Sequence, residues 1–331
     1  MDLNNKNIIV SRTDSIGDVM LSLPICAWLK NKFPEVRIIF LGKAYTRPVL
    51  DAYSKIDKIE NWDDYESLPK AAAVKKIIAL NADAIIHVFP DKKIASLAKK
   101  AGITMRVGSS HRVYHLTTCT HRINFTRKRS DLHESQLNHE LLRPFGLKEI
   151  PKISDIIATT AFFTAPEISL PKEYEGIGSY TILHPKSQGS AKEWPLEKYL
   201  ILAKELIANG ETVVLTGTES EGKLFRDQLP LQSELIDTTG KMSLTQLILF
   251  ISKAKSIVAC STGPLHIGSF LGINSVGLYS PKRPIHPGRW GALGSNVSVL
   301  MFDKKCPECL KGNNCSCIED IEVGHILDKV I

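Results

Sequence analysis

The chain has 331 residues, 43% hydrophobic and 23% charged, with a formal net charge of +7. This is the make-up of a folded globular protein of about two domains, and it excludes a disordered, collagen-like or disulfide-knotted chain. No apolar run reaches the roughly 18 residues of a membrane-spanning helix, and the first residues lead straight into a strand with no secretory signal, so a cytoplasmic protein is expected.

In chain order, residues 7–11 form an apolar run that reads as a strand. Residues 19–33 read as a helix, with Met20, Leu23, Ala27 and Leu29 near helical spacing and Pro24 marking a kink or a late start. A strand is predicted at 36–41, helices at 48–55 and 68–80, a strand at 84–89, and a helix at 91–101 whose basic end suits its dipole. A short strand begins at 105–108, 110–129 is irregular and basic, and 131–145 reads as a helix stopped by Gly146. Residues 150–178, rich in proline and glycine, read as a linker. A second alternation follows: strand 180–184, helix 196–209, strand 212–216, helices 219–228 and 244–251, strand 256–259, helix 265–271 and strand 275–279. Residues 280–317 read as irregular apart from a strand near 297–302, and 318–330 as a final helix. Two such runs predict an α/β protein with two parallel-sheet domains, at 1–165 and 166–317, and a C-terminal helix at 318–331. No internal sequence repeat is visible. A ligand is expected in the cleft between the two sets of strand edges.

Two strand–turn–helix junctions carry the chemistry. At Cys260-Ser261-Thr262-Gly263-Pro264, a buried strand turns through small residues into a helix, which aims free N–H groups and a positive dipole end at one spot. That geometry holds a phosphate; it is also an ordinary tight turn with proline in the first helical turn. After the strand at 7–11, Asp18 falls at the start of a helix. It is either a helix-capping residue or a carboxylate held at the strand's carboxyl edge as a proton acceptor. Among the seven cysteines, Cys26, Cys119 and Cys260 read as small core residues. Cys306, Cys309, Cys315 and Cys317 cluster as C-x2-C-x5-C-x-C. Four thiols so close fit zinc, although the second pair departs from the usual spacing, and a loop of reduced thiols is the other reading. The segment 106–129 is strongly basic, with Arg106, Arg112, Arg122, Arg127, Lys128 and Arg129, and asks for an anionic partner. No helix-turn-helix, finger or RNA-binding signature accompanies it, so nucleic acid is not expected.

Taken jointly and in order, several of these motifs resemble glycosyltransferase family 9, which contains the ADP-heptose:lipopolysaccharide heptosyltransferases. They are Arg12-Thr13-Asp14-Ser15-Ile16-Gly17-Asp18-Val19, Arg106-Val107-Gly108, Leu141-Leu142-Arg143-Pro144-Phe145-Gly146-Leu147, His184-Pro185 with Lys192-Glu193-Trp194-Pro195, and Ser261-Thr262-Gly263-Pro264-Leu265-His266. The resemblance covers nearly the whole chain. It implies a GT-B fold, two Rossmann-like domains across a cleft, with acceptor on the first and sugar nucleotide on the second. It implies an inverting transfer of a sugar, heptose from ADP-heptose, to the lipopolysaccharide inner core or a related envelope glycan, with neither cofactor nor metal. Asp18 matches the catalytic base and Lys192 the phosphate-binding lysine. Thr262, Gly263 and Pro264 fall at the pyrophosphate turn. Ser187, Ser190, Thr216 and Gly217 are expected near the donor, with Met242 against the base or in the core. Arg106, Arg112 and Arg122 are expected to meet an anionic glycolipid, with peripheral contact at the inner membrane. Ser261 departs from the family's usual aspartate, which touches the donor sugar, and so leaves the sugar open. An epimerase or hydrolase of the GT-B type, or a non-catalytic sugar-nucleotide-binding protein, are the alternatives.

Overall fold

A computed structural model describes every residue except Met1, Lys128, Arg129, Lys304, Gly312 and Asn314. The chain divides into two units, Met1–Thr164 and Ala165–Ile331.

In the first unit, six parallel strands form one sheet: β1 (Asn7–Ser11), β2 (Arg37–Gly42), β3 (Lys58–Asn61), β4 (Ala84–His87), β5 (Met105–Ser109) and β6 (His121–Ile123), in the order β3-β2-β1-β4-β5-β6. The second unit repeats the plan with β7 (Tyr180–His184), β8 (Thr212–Leu215), β9 (Leu235–Asp237), β10 (Ser256–Cys260), β11 (Asn274–Leu278) and β12 (Val297–Leu300), in the order β12-β11-β10-β7-β8-β9. Counted from its own first strand, each sheet has the same Rossmann order. The direction of winding reverses between β1 and β4 in one unit and between β7 and β10 in the other. Connections leave such a point in opposite directions, so a crevice opens at the carboxyl ends of those strands.

The central strands are apolar because both faces are covered: β7 and β10 are buried throughout. One core of the first unit gathers Ile9, Ile39, Ile85, Trp62 and Tyr65 with the helix Lys92–Lys100. In the second unit, Leu183, Val213, Val258 and Val276 pack with Trp194 and Tyr199 and with Ile326 and Val330 of the last helix.

Several boundaries differ from the sequence reading. The helix predicted at 19–33 is two helices, Ile16–Met20 and Leu23–Lys32. Pro24 lies in the first turn of the second, where its missing N–H costs nothing. The helix at 131–145 is Glu134–His139 followed by a tighter 3-10 stretch, Glu140–Phe145, that accommodates Pro144, and Gly146 closes it at φ 88°. The segment read as a linker contains the helix Ile153–Ala158. The helix predicted at 219–228 is reduced to Glu219–Gly222 and a 3-10 turn, Arg226–Gln228. The final helix starts at Val323, not at residue 318, and is part of the second unit.

Candidate active site

The carboxyl end of β1 runs into Arg12, and the short helix that follows carries Asp18 as its third residue. Ser15 occupies the N-cap position, yet its hydroxyl makes no cap and donates to Asp18 Oδ2 instead. Arg12 Nη2 donates to Asp18 Oδ1. Arg12 is 3% exposed and its guanidinium serves three further partners: Nε donates to Asp14 Oδ1 at 2.8 Å, and Nη1 to Glu134 Oε1 and Asn138 Oδ1, each at 3.4 Å. Arg127 meets the same pair, Glu134 Oε1 at 3.0 Å and Asn138 Oδ1 at 3.1 Å. Glu134 and Asn138 lie on one helix four residues apart, and Asn138 also donates to the Leu21 carbonyl at 3.1 Å.

Burial raises the Asp14 carboxyl to about 6; Arg12 opposes that rise and Asp18 adds to it. For Arg12 the balance falls the other way. Burial alone would lower its pKa, but Asp14, Asp18 and Glu134 together raise it. The result is a fixed cationic clamp that orients two carboxylates at the crevice of the first sheet. Asp18 lies in the first turn of its helix, the position the sequence predicts. Arg12, Asp14, Glu134 and Asn138 were not singled out from the sequence. An arginine directly after a buried strand, with aspartates two and six residues on, is the signal that could have found them.

Two of the three arginines expected on the acceptor side donate to carbonyls of the short helix His115–Thr118. Arg106 lies near the amino end of β5, with Nε donating to the Thr118 carbonyl at 2.6 Å and Nη1 to the Ile103 carbonyl, so it braces its own loop. Arg122 sits on edge strand β6 and donates to the Leu116 carbonyl at 3.1 Å. Arg112 is exposed in the β5–β6 connection. Lys128 and Arg129 lie outside the described residues.

In the second unit, the turns after β7 and β10 flank its crevice. Residues 185–195 wrap around the Glu193 carboxylate, which accepts from Ser187 N at 2.8 Å, Ser187 Oγ at 3.0 Å and Lys186 Nζ at 3.0 Å. Burial would raise the Glu193 carboxyl, but these donors hold it below the usual range. Ser187 is buried and its hydroxyl serves the loop; Ser190 is exposed and donates to the Ser187 carbonyl at 2.7 Å. Gln188 and Gly189 take φ values of 49° and 79°, the left-handed turn that lets the loop double back. Lys192 donates to the Cys315 carbonyl and lies 3.6 Å from Glu319 Oε1.

After β10, Thr262 is the N-cap of the helix Gly263–Phe270, with Pro264 in the first turn. The first-turn N–H groups of Gly263 and Leu265 have no partner inside the helix. The Thr262 hydroxyl makes no cap and is buried without a partner. These donors converge where the dipole is positive, the arrangement that takes a phosphate. Ser261 Oγ is 3.4 Å from the Trp290 carbonyl, so it faces the 280–292 loop. At the end of β8, Thr216 is buried with Oγ1 3.0 Å from His184 Nδ1, and the Gly217 carbonyl accepts from Gly240 N at 2.9 Å. Met242 is half-buried beside the N-cap of the helix Leu244–Ser252, outside the core cluster.

Comparison with known proteins identifies the family and the fold. Residues 71–317 match the family described as glycosyltransferase family 9 (heptosyltransferase). Lipopolysaccharide heptosyltransferase 2 of Escherichia coli K12 is 31% identical over 313 residues, covering 84% of this chain and 83% of that one. A Haemophilus influenzae protein with the provisional description of glycosyltransferase is 26% identical over 98% of this chain and 96% of its own length. Among solved structures, a family 9 glycosyl transferase of Veillonella parvula shares the fold at a TM-score of 0.77, with 19% identity and 99% and 97% of the two chains covered. The E. coli ADP-heptose lps heptosyltransferase II does so at 0.75, with 19% identity and 98% and 97% covered. The chain therefore has the GT-B fold class of these enzymes and belongs to glycosyltransferase family 9, the heptosyltransferases.

Proposed function

We propose that this glycosyltransferase moves heptose from ADP-heptose, with inversion, onto the lipopolysaccharide inner core or a related envelope glycan, and that Asp18 is the general base. The observation that carries the reading is the Asp18 carboxylate. It lies at the crevice end of β1 and is oriented by Arg12 and Ser15. A carboxylate is a far weaker base than a sugar alkoxide, so the proton leaves the acceptor as the new C–O bond forms and not before. The departing diphosphate develops charge that needs donors. Gly263 N, Leu265 N and the unpartnered Thr262 hydroxyl supply them at a helix N-terminus. Lys192 joins them by leaving the Cys315 carbonyl. The choice of nucleotide is supported by WaaC of E. coli, a similar fold at a TM-score of 0.73, described with ADP and, in a second structure, with ADP-2-deoxy-2-fluoro heptose. The acceptor is an anionic glycolipid met at the cytoplasmic face of the inner membrane. Among the described residues no helix is long and apolar enough to cross a membrane.

Asp18→Ala tests the reading. Transfer is expected to fall by about 10²–10⁴-fold while ADP affinity holds; unchanged turnover would remove Asp18 as the base. A thermal-shift panel tests the donor: ADP-heptose should raise the melting point where UDP- and GDP-sugars do not.

A further inference from the structure

The connection between β12 and the last helix, residues 301–322, is long, and among its described residues the only helix is Pro307–Lys311. Connections of that length inside a folded domain are uncommon without some other source of order. Cys306, Cys309, Cys315 and Cys317 fall within this stretch, and their four sulfurs all lie within 4.8 Å of one another. Four thiolates around one tetrahedral zinc, at Zn–S distances near 2.3 Å, sit about 3.8 Å apart. Cys309 Sγ and Cys315 Sγ, 2.6 Å apart, stand closer than that and no pair exceeds 4.8 Å, so small side-chain shifts bring the cluster to the size of such a site, with Cys309 and Cys317 buried and Cys306 and Cys315 partly exposed.

We infer that Cys306, Cys309, Cys315 and Cys317 hold one zinc ion as a closed tetrathiolate site. The short C-x-C spacing, unusual for zinc, works here because the Cys317 N–H donates back to Cys315 Sγ at 3.4 Å, which folds the two residues around one point. Ser280 Oγ lies 3.6 Å from Cys309 Sγ, so a hydroxyl from outside the loop also faces the sulfurs. Such donors to ligating sulfur are the usual outer layer of a metal site. An all-sulfur tetrahedral donor set favours zinc over the oxygen-seeking ions. With four protein ligands there is no open position, so the ion is structural and takes no part in transfer. It would order the stretch that meets the 192–198 segment, where Lys192 donates to the Cys315 carbonyl, Trp194 Nε1 to the Ile321 carbonyl at 3.1 Å and Lys198 Nζ to the Glu319 carbonyl at 2.5 Å.

Elemental analysis of the full chain, purified without added metal or chelator, tests the site. About one zinc per chain is expected, falling to under about a tenth in Cys309→Ser and in Cys306→Ser. Cys306→Ser alters a partly exposed residue, so it keeps the test readable if the buried substitution unfolds the protein. Replacing zinc by cobalt(II) should give the intense visible bands of a tetrahedral sulfur-ligated ion. Several results would overturn the inference: metal-free protein whose four thiols titrate freely in the folded state, a Cys309–Cys315 disulfide in the non-reduced peptide map, or zinc content unaffected by either substitution. Iron at the same stoichiometry would overturn the choice of ion.

Discussion

Arg12 is the residue on which the first crevice depends. It is buried, and it balances Asp14, Asp18 and Glu134, of which Glu134 is itself 1% exposed. Breaking a buried ion pair by removing one partner leaves the others uncompensated, so Arg12→Met is expected to lower stability by about 3–5 kcal/mol, measured by urea denaturation. Asp14 sets a pH dependence. Its carboxyl titrates near 6, chiefly because it is buried. Below that pH it is neutral, and Arg12, with one carboxylate partner fewer, holds more tightly to Asp18, the proposed base. Transfer should therefore lose rate as the pH falls through about 6, and Asp14→Asn should remove that inflection from a kcat/KM profile taken from about pH 5 to about pH 8. Asp18 was legible in the sequence because strand, turn and helix start are local signals. The clamp around it was not, because Arg12 and Glu134 are 122 residues apart. The separation of 123 positions between Lys192 and Cys315 hid that contact in the same way.

The elements that sequence periodicity found and missed differ in burial. β1, β7 and β10 are apolar runs covered on both faces, and each was read within a residue or two of its bounds. The missed strands are β3, β6 and β9, which are short, half-exposed and at the outer edges of their sheets, where no apolar run is required. The junction of β10 with the helix Gly263–Phe270 shows a further constraint. A Cβ on Gly268 would lie 2.7 Å from Ile257 Cγ2 and 3.1 Å from Ser275 Oγ, so the helix packs on the sheet only because that side chain is absent. Gly268→Ala should overpack the interface and cost about 1–3 kcal/mol in urea denaturation. By displacing the helix whose first turn carries the free N–H groups, it should also weaken ADP binding, which titration calorimetry would read.

At the scale of the whole molecule, the two halves share a strand order without sharing a sequence pattern. Alternating strands and helices were enough to predict two parallel sheets, since right-handed crossovers and short connections leave few arrangements open. They did not reveal that the two sheets are wound alike, because strand order is set by long-range pairing that no local window contains. Each half closes its own apolar interior, and the backbone passes from one to the other once, between Thr164 and Ala165. That single crossing makes the enzyme a candidate for splicing. A chimera joined at that peptide bond, with residues 165–331 exchanged for a relative's, should take its sugar-nucleotide preference from the graft while its acceptor preference stays with the parent. Competition assays with paired donors and acceptors would show whether the two specificities travel separately.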